Sequence, residues 1–192
     1  MPLLKREPDL FPSDFFELSE DTYQWWVAHV ASRQEKVLAR FLHDRAIPFY
    51  LPQAEKQTRR NGRTLTSHIP LFPGYVFLRA DRAQRALAFR SNVIANMLEV
   101  IDAAAFAAEL RQIFDLQSRG AMLAPFADLV PGDAVRITDG VFKGYSGVIV
   151  RERGDVRLVV SVSLIRQSVL VELSRDGVAP AKIHAVAQKR AS

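Results

Sequence analysis

Residues 70–78, PLFPGYVFL, decide the fold of this chain. They form an apolar, aromatic run that is interrupted by a turn-forming Pro-Gly pair. Because proline cannot donate a ladder hydrogen bond, Pro73 is expected to open a strand or to lie at a sheet edge. The preceding segment, 56–68, carries four cationic side chains and no carboxylate. A basic hairpin beside an aromatic patch indicates a protein that grips a large partner and does not indicate a catalytic pocket.

The composition is that of a globular protein with a mild excess of positive charge. The 192 residues are 48% apolar and 24% charged, with a net charge of +5 and a pI near 9.8. This balance favours a nucleic-acid or ribonucleoprotein partner without requiring one. The absence of cysteine excludes disulfide scaffolds, cysteine-based zinc sites and thiol catalysis. No apolar signal region and no apolar run of about 18 residues is visible, so a soluble, cytoplasmic protein is expected.

Residues 23–117 are predicted to form an α+β domain with a mainly antiparallel sheet and flanking helices. Asn61-Gly62 predicts the turn of a basic β-ribbon over residues 55–68. Ser32 and Glu35 are placed to form a capping box for a helix that runs to about Arg45. The other predicted strands cover 25–30, 47–51, 74–78 and 93–100, and the other predicted helices cover 82–89 and 103–117.

Four further segments complete the predicted organisation. Residues 1–22 are expected to be a loosely ordered extension, although three phenylalanines in it could attach it to the domain. Residues 118–128 lack periodicity and are predicted to be a flexible linker. Short alternating strands with glycine-bearing turns predict a small β-barrel over residues 129–183. Residues 184–192 are expected to be a loose basic tail.

Together, these two halves resemble the NusG family of transcription elongation factors. The first half resembles the N-terminal NGN domain in the paired aromatics Trp25-Trp26, the helix that carries Glu35, and above all PLFPGYVFL at 70–78. The second half resembles a KOW domain, an SH3-like barrel, in PGDAVRITDGVFKGYSGVIV at 131–150 and VSVSLIRQSVLVEL at 160–173. The resemblance extends over roughly residues 23 to 183, and both motifs in this order are more specific than either alone.

The resemblance implies a factor that binds the clamp helices of the RNA polymerase β′ subunit and modulates pausing, termination or antitermination. The residues that match the docking face of the family are Trp26, His29, Phe41, Phe72 and Tyr75. Any apolar residue in these motifs could instead pack in the core. We favour core packing for Trp25 and Val76. For Phe72 and Tyr75 we favour the interface, because a Pro-Gly turn directs neighbouring side chains outward.

The basic ribbon is a candidate nucleic-acid contact. Its cations would contact phosphates of the upstream DNA fork or the non-template strand, giving salt-dependent affinity with little sequence readout. The alternative is a solvated hairpin tip with no ligand. The candidate nucleic-acid-binding residues are Arg33, Lys56, Arg59, Arg60 and Arg63.

In the second half, Gly140, Gly144 and Gly147 have the spacing of neither common nucleotide motif and are interpreted as turn and bulge positions. In the family, the KOW barrel recruits the termination factor Rho or a small-subunit ribosomal protein. The matching loops would present two exposed aromatics and an aliphatic tip as an adhesive patch. The residues of this patch are Phe142, Lys143, Tyr145, Leu164, Ile165 and Arg166.

Several features favour a specialised paralogue of the RfaH type over a housekeeping factor. They are the extension of about 20 residues before the first predicted strand, Val37 where many relatives have arginine, and RAIPFYLPQ at 45–53. The consistent β alternation after residue 131 predicts a stable barrel and no helical hairpin.

Two other functions compete with this interpretation. An enzyme is disfavoured, because no nucleophile motif, metal cluster or dinucleotide fingerprint is present; neither a cofactor nor a metal is expected. A ribosome-associated or general RNA-binding KOW protein would bind RNA through the barrel, but residues 148–173 hold few cations and no aromatic platform. A monomer without a membrane partner is expected.

Overall fold

A computed structural model describes residues 8–60, 62–126, 135–137, 143–152, 155–172 and 185–187. The chain divides into two compact units, Met1–Ala107 (unit 1) and Ala108–Ser192 (unit 2). The division falls inside a helix, whereas the sequence predicted the first domain to extend to residue 117.

Unit 1 combines an antiparallel sheet, a separate β-ribbon and helices. Its strands are β1 (Leu10–Phe11), β2 (Gln24–Val30), β3 (Phe49–Tyr50), β4 (Gln53–Arg60), β5 (Arg63–Pro70), β6 (Tyr75–Ala80) and β7 (Ile94–Glu99). Its helices are α1 (Glu35–His43), α2 (Arg82–Phe89) and the beginning of α3 (Ala103–Ser118). Five strands form one sheet in the order β1-β3-β6-β2-β7, with every neighbouring pair antiparallel. The predicted mixed domain of helices on an antiparallel sheet is confirmed.

One face of this sheet packs against the helices. In the register of β2 and β6, Trp26 is opposite Leu78 and Ala28 is opposite Val76. Successive residues of a strand point to opposite faces, so these alternate positions lie on the same side. α1 contributes residues spaced for one helical face to the same cluster. The cluster contains Trp26, Ala28, Val30, Leu38, Ala39, Leu42, Val76, Leu78, Ala80 and Ala88.

The opposite face of the sheet carries an aromatic cluster. The ring of Trp25 lies 5.4 Å from that of Phe15 and 5.4 Å from that of Phe106, both edge-on. The rings of Phe77 and Phe106 are 5.8 Å apart. Edge-to-face contacts at these distances are favourable for aromatic pairs. The expectation that Trp25 packs in the core is confirmed, since the residue is buried.

The N-terminal segment is part of this core, so the prediction of a loosely ordered extension is wrong for its described residues, 8–22. β1 pairs with β3, and the amide of Leu51 donates to the carbonyl of Asp9 at 2.6 Å. Phe15 is fully buried against Trp25, and Phe11 packs edge-on against His43. Burial of apolar rings outweighs the entropy cost of ordering the segment.

Unit 2 contains a six-stranded antiparallel sheet. Its strands are β8 (Leu123–Phe126), β9 (Val135–Ile137), β10 (Ser146–Glu152), β11 (Asp155–Val162), β12 (Gln167–Glu172) and β13 (Ala185–Ala187). Their order is β13-β9-β10-β11-β12-β8. At Gly147 a Cβ atom would overlap the carbonyl oxygen of Val159, so β10 approaches β11 closely only because this residue has no side chain.

The structure corrects the predicted linker at residues 118–128. α3 ends at Ser118, and Gly120, two residues later, has a φ of +74° that suits glycine. The amides of Gly120 and Ala121 bond the carbonyls of Gln117 and Leu116, which is the Schellman pattern of a helix end. β8 follows at once and pairs with β12 from Ser168 to Val171. Backbone pairing, which the lack of sequence periodicity concealed, therefore orders residues 123–126.

The predicted loose tail also needs correction at residues 185–187. β13 pairs with β9 in a three-residue antiparallel register. Its composition, Ala-Val-Ala, gives only a weak strand signal, and the pairing partner lies about 50 residues earlier in the chain.

In the described part of the chain, we find no helix that is both long enough and apolar enough to cross a membrane.

Candidate partner-binding surfaces

The Pro-Gly turn of residues 70–75 is held by hydrogen bonds to both backbone groups of its glycine. Gly74 has φ +85°, a conformation that favours glycine. Its amide donates to the Oε1 atom of Glu35 at 2.7 Å, and its carbonyl accepts from the amide of Val30 at 2.9 Å. The turn is thus attached to both α1 and β2.

This use of Glu35 corrects the predicted capping box. α1 begins at Glu35 itself, after Gln34, and no side chain caps its N-terminus. The carboxylate of Glu35 is buried and bonds the turn instead of the amide of Ser32. Sequence reasoning missed this contact because the two partners are separated by 39 residues.

Directly after the turn, two rings form what we call the open patch, His29 and Tyr75. The two residues are opposite each other in the register of β2 and β6, with ring centroids 5.1 Å apart. His29 is exposed and Tyr75 is half-buried. Asn96, opposite His29 on β7, is exposed as well. The end of the aromatic face that carries these residues is therefore accessible in unit 1.

Two other predicted docking residues are buried. Phe72 is 1% exposed and packs edge-on against Phe77, with centroids 5.5 Å apart. Trp26 is 7% exposed, and its Nε1–H donates to the carbonyl of Ala80 at 3.3 Å. The expectation that Phe72 points outward is wrong, because the turn folds its ring back onto the sheet. The contribution of both residues to a docking face stays a prediction.

Phe41 lies apart from the open patch. It belongs to α1, which packs through Leu38 and Leu42 against the other face of the sheet. The ring is half-buried, and the guanidinium carbon of Arg45 lies 3.6 Å from its centroid, a cation–π contact. The predicted set of five thus separates into the open patch, two buried rings and a ring on α1.

The predicted basic ribbon is present as a two-stranded sheet of its own, β4 and β5. Its register extends from Gln53 opposite Pro70 to Arg60 opposite Arg63. The predicted Asn61 lies outside the described residues, and the following Gly62 has φ +73°. Two-stranded ribbons of this kind fit the major groove of duplex DNA.

The cations of the ribbon do not all share one face. Lys56, Arg59 and Arg63 are exposed. Strand alternation and the register place Lys56, Arg63 and the exposed Leu65 on one face and Arg59 on the other. Only the backbone of Arg60 is described.

The base of the ribbon is attached to α1. The ammonium group of Lys36 donates to the carbonyl of His68 at 2.7 Å. Arg33 lies in the turn between β2 and α1, where it is exposed with φ +61°. The sequence analysis did not identify Lys36 as an attachment point, because its partner is a backbone atom 32 residues away.

Unit 2 holds the residues predicted to contact a second partner. Leu164 and Ile165 belong to a short 3-10 helix, Ser163–Ile165, which Arg166 ends with φ +54°. Lys143, Leu164 and Arg166 are exposed, whereas Ile165 is buried. Phe142 lies outside the described residues.

Tyr145 is buried, with 7% of its surface exposed, so the prediction of an exposed aromatic is wrong at this position. The guanidinium carbon of Arg119 lies 5.7 Å from the centre of its ring. Burial raises the pKa of the Tyr145 phenol above its usual value, and the charge of Arg119 acts in the opposite direction.

A further charged residue, Arg79, was not identified in the sequence. It is 2% exposed, and its guanidinium donates to the carbonyl of Tyr23 at 3.1 Å and lies 5.0 Å from the Trp25 ring. Burial lowers its pKa and the charge of Glu20 acts in the opposite direction. Arg79 thereby attaches the segment before β2 to the sheet. Among the described residues, no three His, Asp or Glu side chains are grouped to hold a metal ion.

Comparison with known proteins finds a similarity to the NusG family. The family model described as "Transcription termination factor nusG" matches residues 23–113. The transcription termination/antitermination protein NusG of Pseudomonas aeruginosa is 27% identical over 170 residues, which cover 78% of this chain and 94% of that protein.

Two solved structures are also similar. The structure titled "Domain interaction in Thermotoga maritima NusG" is 18% identical with a TM-score of 0.46, covering 80% of this chain and 94% of that one. A chain of the MjSpt4:Spt5 complex is 14% identical with a TM-score of 0.27, covering 86% of this chain and 99% of that one.

Proposed function

We propose that the chain, whose residues 23–113 match the NusG family model, is a transcription factor that binds RNA polymerase at the β′ clamp helices. By this binding it modulates pausing, termination or antitermination. The observation that carries the proposal is the open patch, an accessible aromatic pair on a rigid sheet inside the region that matches the family.

The open patch has the properties of an anchor for a partner. A tyrosine buries a large area while keeping a polar tip, and tyrosines are enriched among the residues that carry most binding energy at interfaces. The ring of His29 extends this surface beside it. The hydrogen bond from Gly74 to Glu35 fixes the turn before Tyr75, so binding costs little conformational freedom. A factor bound here changes the behaviour of polymerase only if it binds the closed, processive state more tightly than the paused state.

We further propose that the basic ribbon contacts the upstream fork or the non-template DNA strand. Its exposed cations Lys56, Arg59 and Arg63 are suited to phosphate contacts, which position without reading sequence. The sheet of unit 2 is proposed to be a KOW barrel that recruits Rho or a small-subunit ribosomal protein.

Binding of the purified chain to core RNA polymerase tests the proposal. Tyr75→Ala and His29→Ala each remove an accessible ring, and we expect affinity to fall by about tenfold or more. Phe89→Ala is the matched control, because Phe89 is a 42% exposed ring at the end of α2, a helix whose Ala88 packs against the other face of the sheet. Equal losses in all three variants, or no binding by the wild type, would reject the proposal. Binding of structured RNA without polymerase would then favour a general RNA-binding protein.

The salt dependence of binding to fork-shaped DNA tests the ribbon. Lys56→Gln and Arg63→Gln should each lower the slope of log affinity against log salt by about 0.9 for every phosphate that the variant no longer neutralises. Arg90→Gln is the control, since Arg90 is an exposed cation directly after α2. A slope that changes equally in the control would mean that only net charge matters.

A further inference from the structure

The two faces of the β-ribbon differ in charge. The register places Lys56 opposite Ser67 and Thr58 opposite Leu65, and residues opposite each other share a face. Strand alternation puts Arg63 on the same side. We call these five residues the Leu65 face. Among the described residues of the ribbon, this face carries the cations Lys56 and Arg63, two hydroxyls and no carboxylate.

The opposite face of the ribbon holds the carboxylate. Glu55 is exposed and lies opposite His68, and Gln57 and Arg59 follow on the same side. The negative charge of Glu55 offsets that of Arg59 and repels a phosphate. The Leu65 face is therefore the face that complements a polyanion.

An apolar side chain lies at the centre of the Leu65 face, since Leu65 is 51% exposed. Arg63 is opposite Arg60, four residues after Lys56, so at about 3.3 Å per residue Lys56 and Arg63 are about 13 Å apart along the ribbon. The major groove of B-DNA is about 12 Å wide and admits a two-stranded ribbon. The two cations can then reach phosphates on both sides of the groove while Leu65 lies over the base edges.

The base of the ribbon fixes the direction of this face. Gln53 and Ala54 are 4% and 8% exposed, and the ammonium group of Lys36 donates to the carbonyl of His68 at 2.7 Å. The exposed part of the ribbon thus extends from an anchored base. Because the base is already held, little conformational freedom is lost when the face binds a partner.

We propose that the Leu65 face enters the major groove of duplex DNA and that Leu65 contacts the methyl group of thymine. Apolar side chains recognise thymine in this groove through that methyl group. The cations position the ribbon on the phosphates, and Leu65 adds a modest sequence preference. Duplex RNA does not fit, because its major groove is deep and narrow. The inference rests on the proposed contact of the ribbon with DNA and adds the face, the groove and the base.

The thymine methyl group is tested with two alternating A·T duplexes of equal length, one containing thymine and the other deoxyuridine, which lacks only that methyl group. The wild type should bind the thymine duplex about three- to fourfold more tightly, the effect of burying one methyl group. Leu65→Ala should bind both duplexes equally. Gln57→Ala changes an exposed side chain of the opposite face and, as the matched control, should retain the preference. No preference in the wild type, or an unchanged preference in Leu65→Ala, would overturn the readout by Leu65.

Matched charge removals test which face meets the DNA. On the thymine duplex, Lys56→Gln and Arg63→Gln should each lower the slope of log affinity against log salt by about 0.9 for every phosphate no longer neutralised. Arg59→Gln removes the same charge from the opposite face and should leave the slope unchanged. All three side chains are exposed, so the variants should keep the fold. An equal change of slope in all three would overturn the one-sided contact.

Other nucleic acids separate this inference from the proposed function. The wild type should bind duplex RNA more weakly than duplex DNA of the same length. Single-stranded DNA bound as tightly as the duplex would overturn the groove contact and leave the proposed contact with the non-template strand standing. No binding to duplex, single-stranded or fork-shaped DNA would reject the proposed role of the ribbon, and this inference with it.

Discussion

Both surfaces predicted to bind partners centre on a tyrosine, yet the two tyrosines lie in different surroundings. Tyr75 is half-buried against His29 at the accessible end of a sheet, whereas Tyr145 is 7% exposed beside Arg119. Each directly follows a glycine: Tyr75 is the first residue of β6, and Tyr145 directly precedes β10. The comparison shows that a turn motif selects the position of an aromatic residue, and that packing by distant residues decides whether a partner can reach it.

The largest expected effect separates Tyr75 from the buried ring in the same turn. Phe72→Ala should lower the free energy of unfolding by about 3–5 kcal/mol, because it removes a fully buried ring. Tyr75→Ala should cost less than about 1.5 kcal/mol, the range of an aromatic pair beyond its buried area. Urea denaturation of both variants provides the measurement. Similar costs for the two would remove the distinction between the core and the open patch.

The attachment of the turn to α1 should have the next largest effect. Glu35→Ala removes a charged acceptor and leaves the Gly74 amide without it, which should destabilise by about 1.5–3 kcal/mol. Glu35→Gln retains an acceptor oxygen and should cost less. Thermal unfolding measures both. If Glu35→Ala is as stable as the wild type, the carboxylate does not hold the turn in solution.

The glycines near the two tyrosines provide a matched pair of substitutions. Gly147→Ala forces a Cβ against the Val159 carbonyl and should cost about 1–3 kcal/mol by overpacking. Gly74→Ala meets only ordinary contacts with His29 at 3.6 Å, so its cost should be the backbone strain of a left-handed residue, about 1–2 kcal/mol. Gly74→Ala should also weaken binding to polymerase, whereas Gly147→Ala should leave that affinity unchanged. The opposite pattern would contradict the separation of the two surfaces.

The smallest expected effect is a pH dependence in unit 2. Because burial raises the pKa of Tyr145, the folded state holds the phenol proton more tightly than the unfolded state does. This contribution to stability is fully present below the ordinary tyrosine pKa, near 10, and is lost as the pH rises through the folded-state pKa. Urea midpoints from about pH 8 to about pH 11.5 should therefore fall more for the wild type than for Tyr145→Phe. Parallel curves would show that Tyr145 is solvated in solution.

Much of the fold follows from local sequence pattern. The helix at 82–89 and the basic ribbon lie where periodicity and the Asn-Gly signal predicted them. The order of the N-terminal segment could not be predicted from local pattern, because β1 has only two residues and gives a weak strand signal. Its order depends on Phe15 and on pairing with β3, about 40 residues further along the chain.

The candidate sites divide in the same way. The motif PLFPGYVFL identified the segment that contains Tyr75, but it could not predict which of its aromatic side chains are buried and which are accessible. Phe72 and Tyr75 are three residues apart, equally aromatic and next to the same turn, yet one is buried. Only the contact of Phe72 with Phe77 and the pairing of Tyr75 with His29 distinguish them.

The match of residues 23–113 to the NusG family model, the position of the basic ribbon and the absence of cysteine follow from residue type and local spacing alone. Three outcomes appear only in the folded chain: Glu35 bonds Gly74, Phe72 is buried, and Gln112 binds Ser146. The two groups differ in the range of the interactions along the chain. Each of these outcomes depends on residues that are distant in the chain or on how the chain packs, where burial and hydrogen-bond satisfaction act only after the chain has folded.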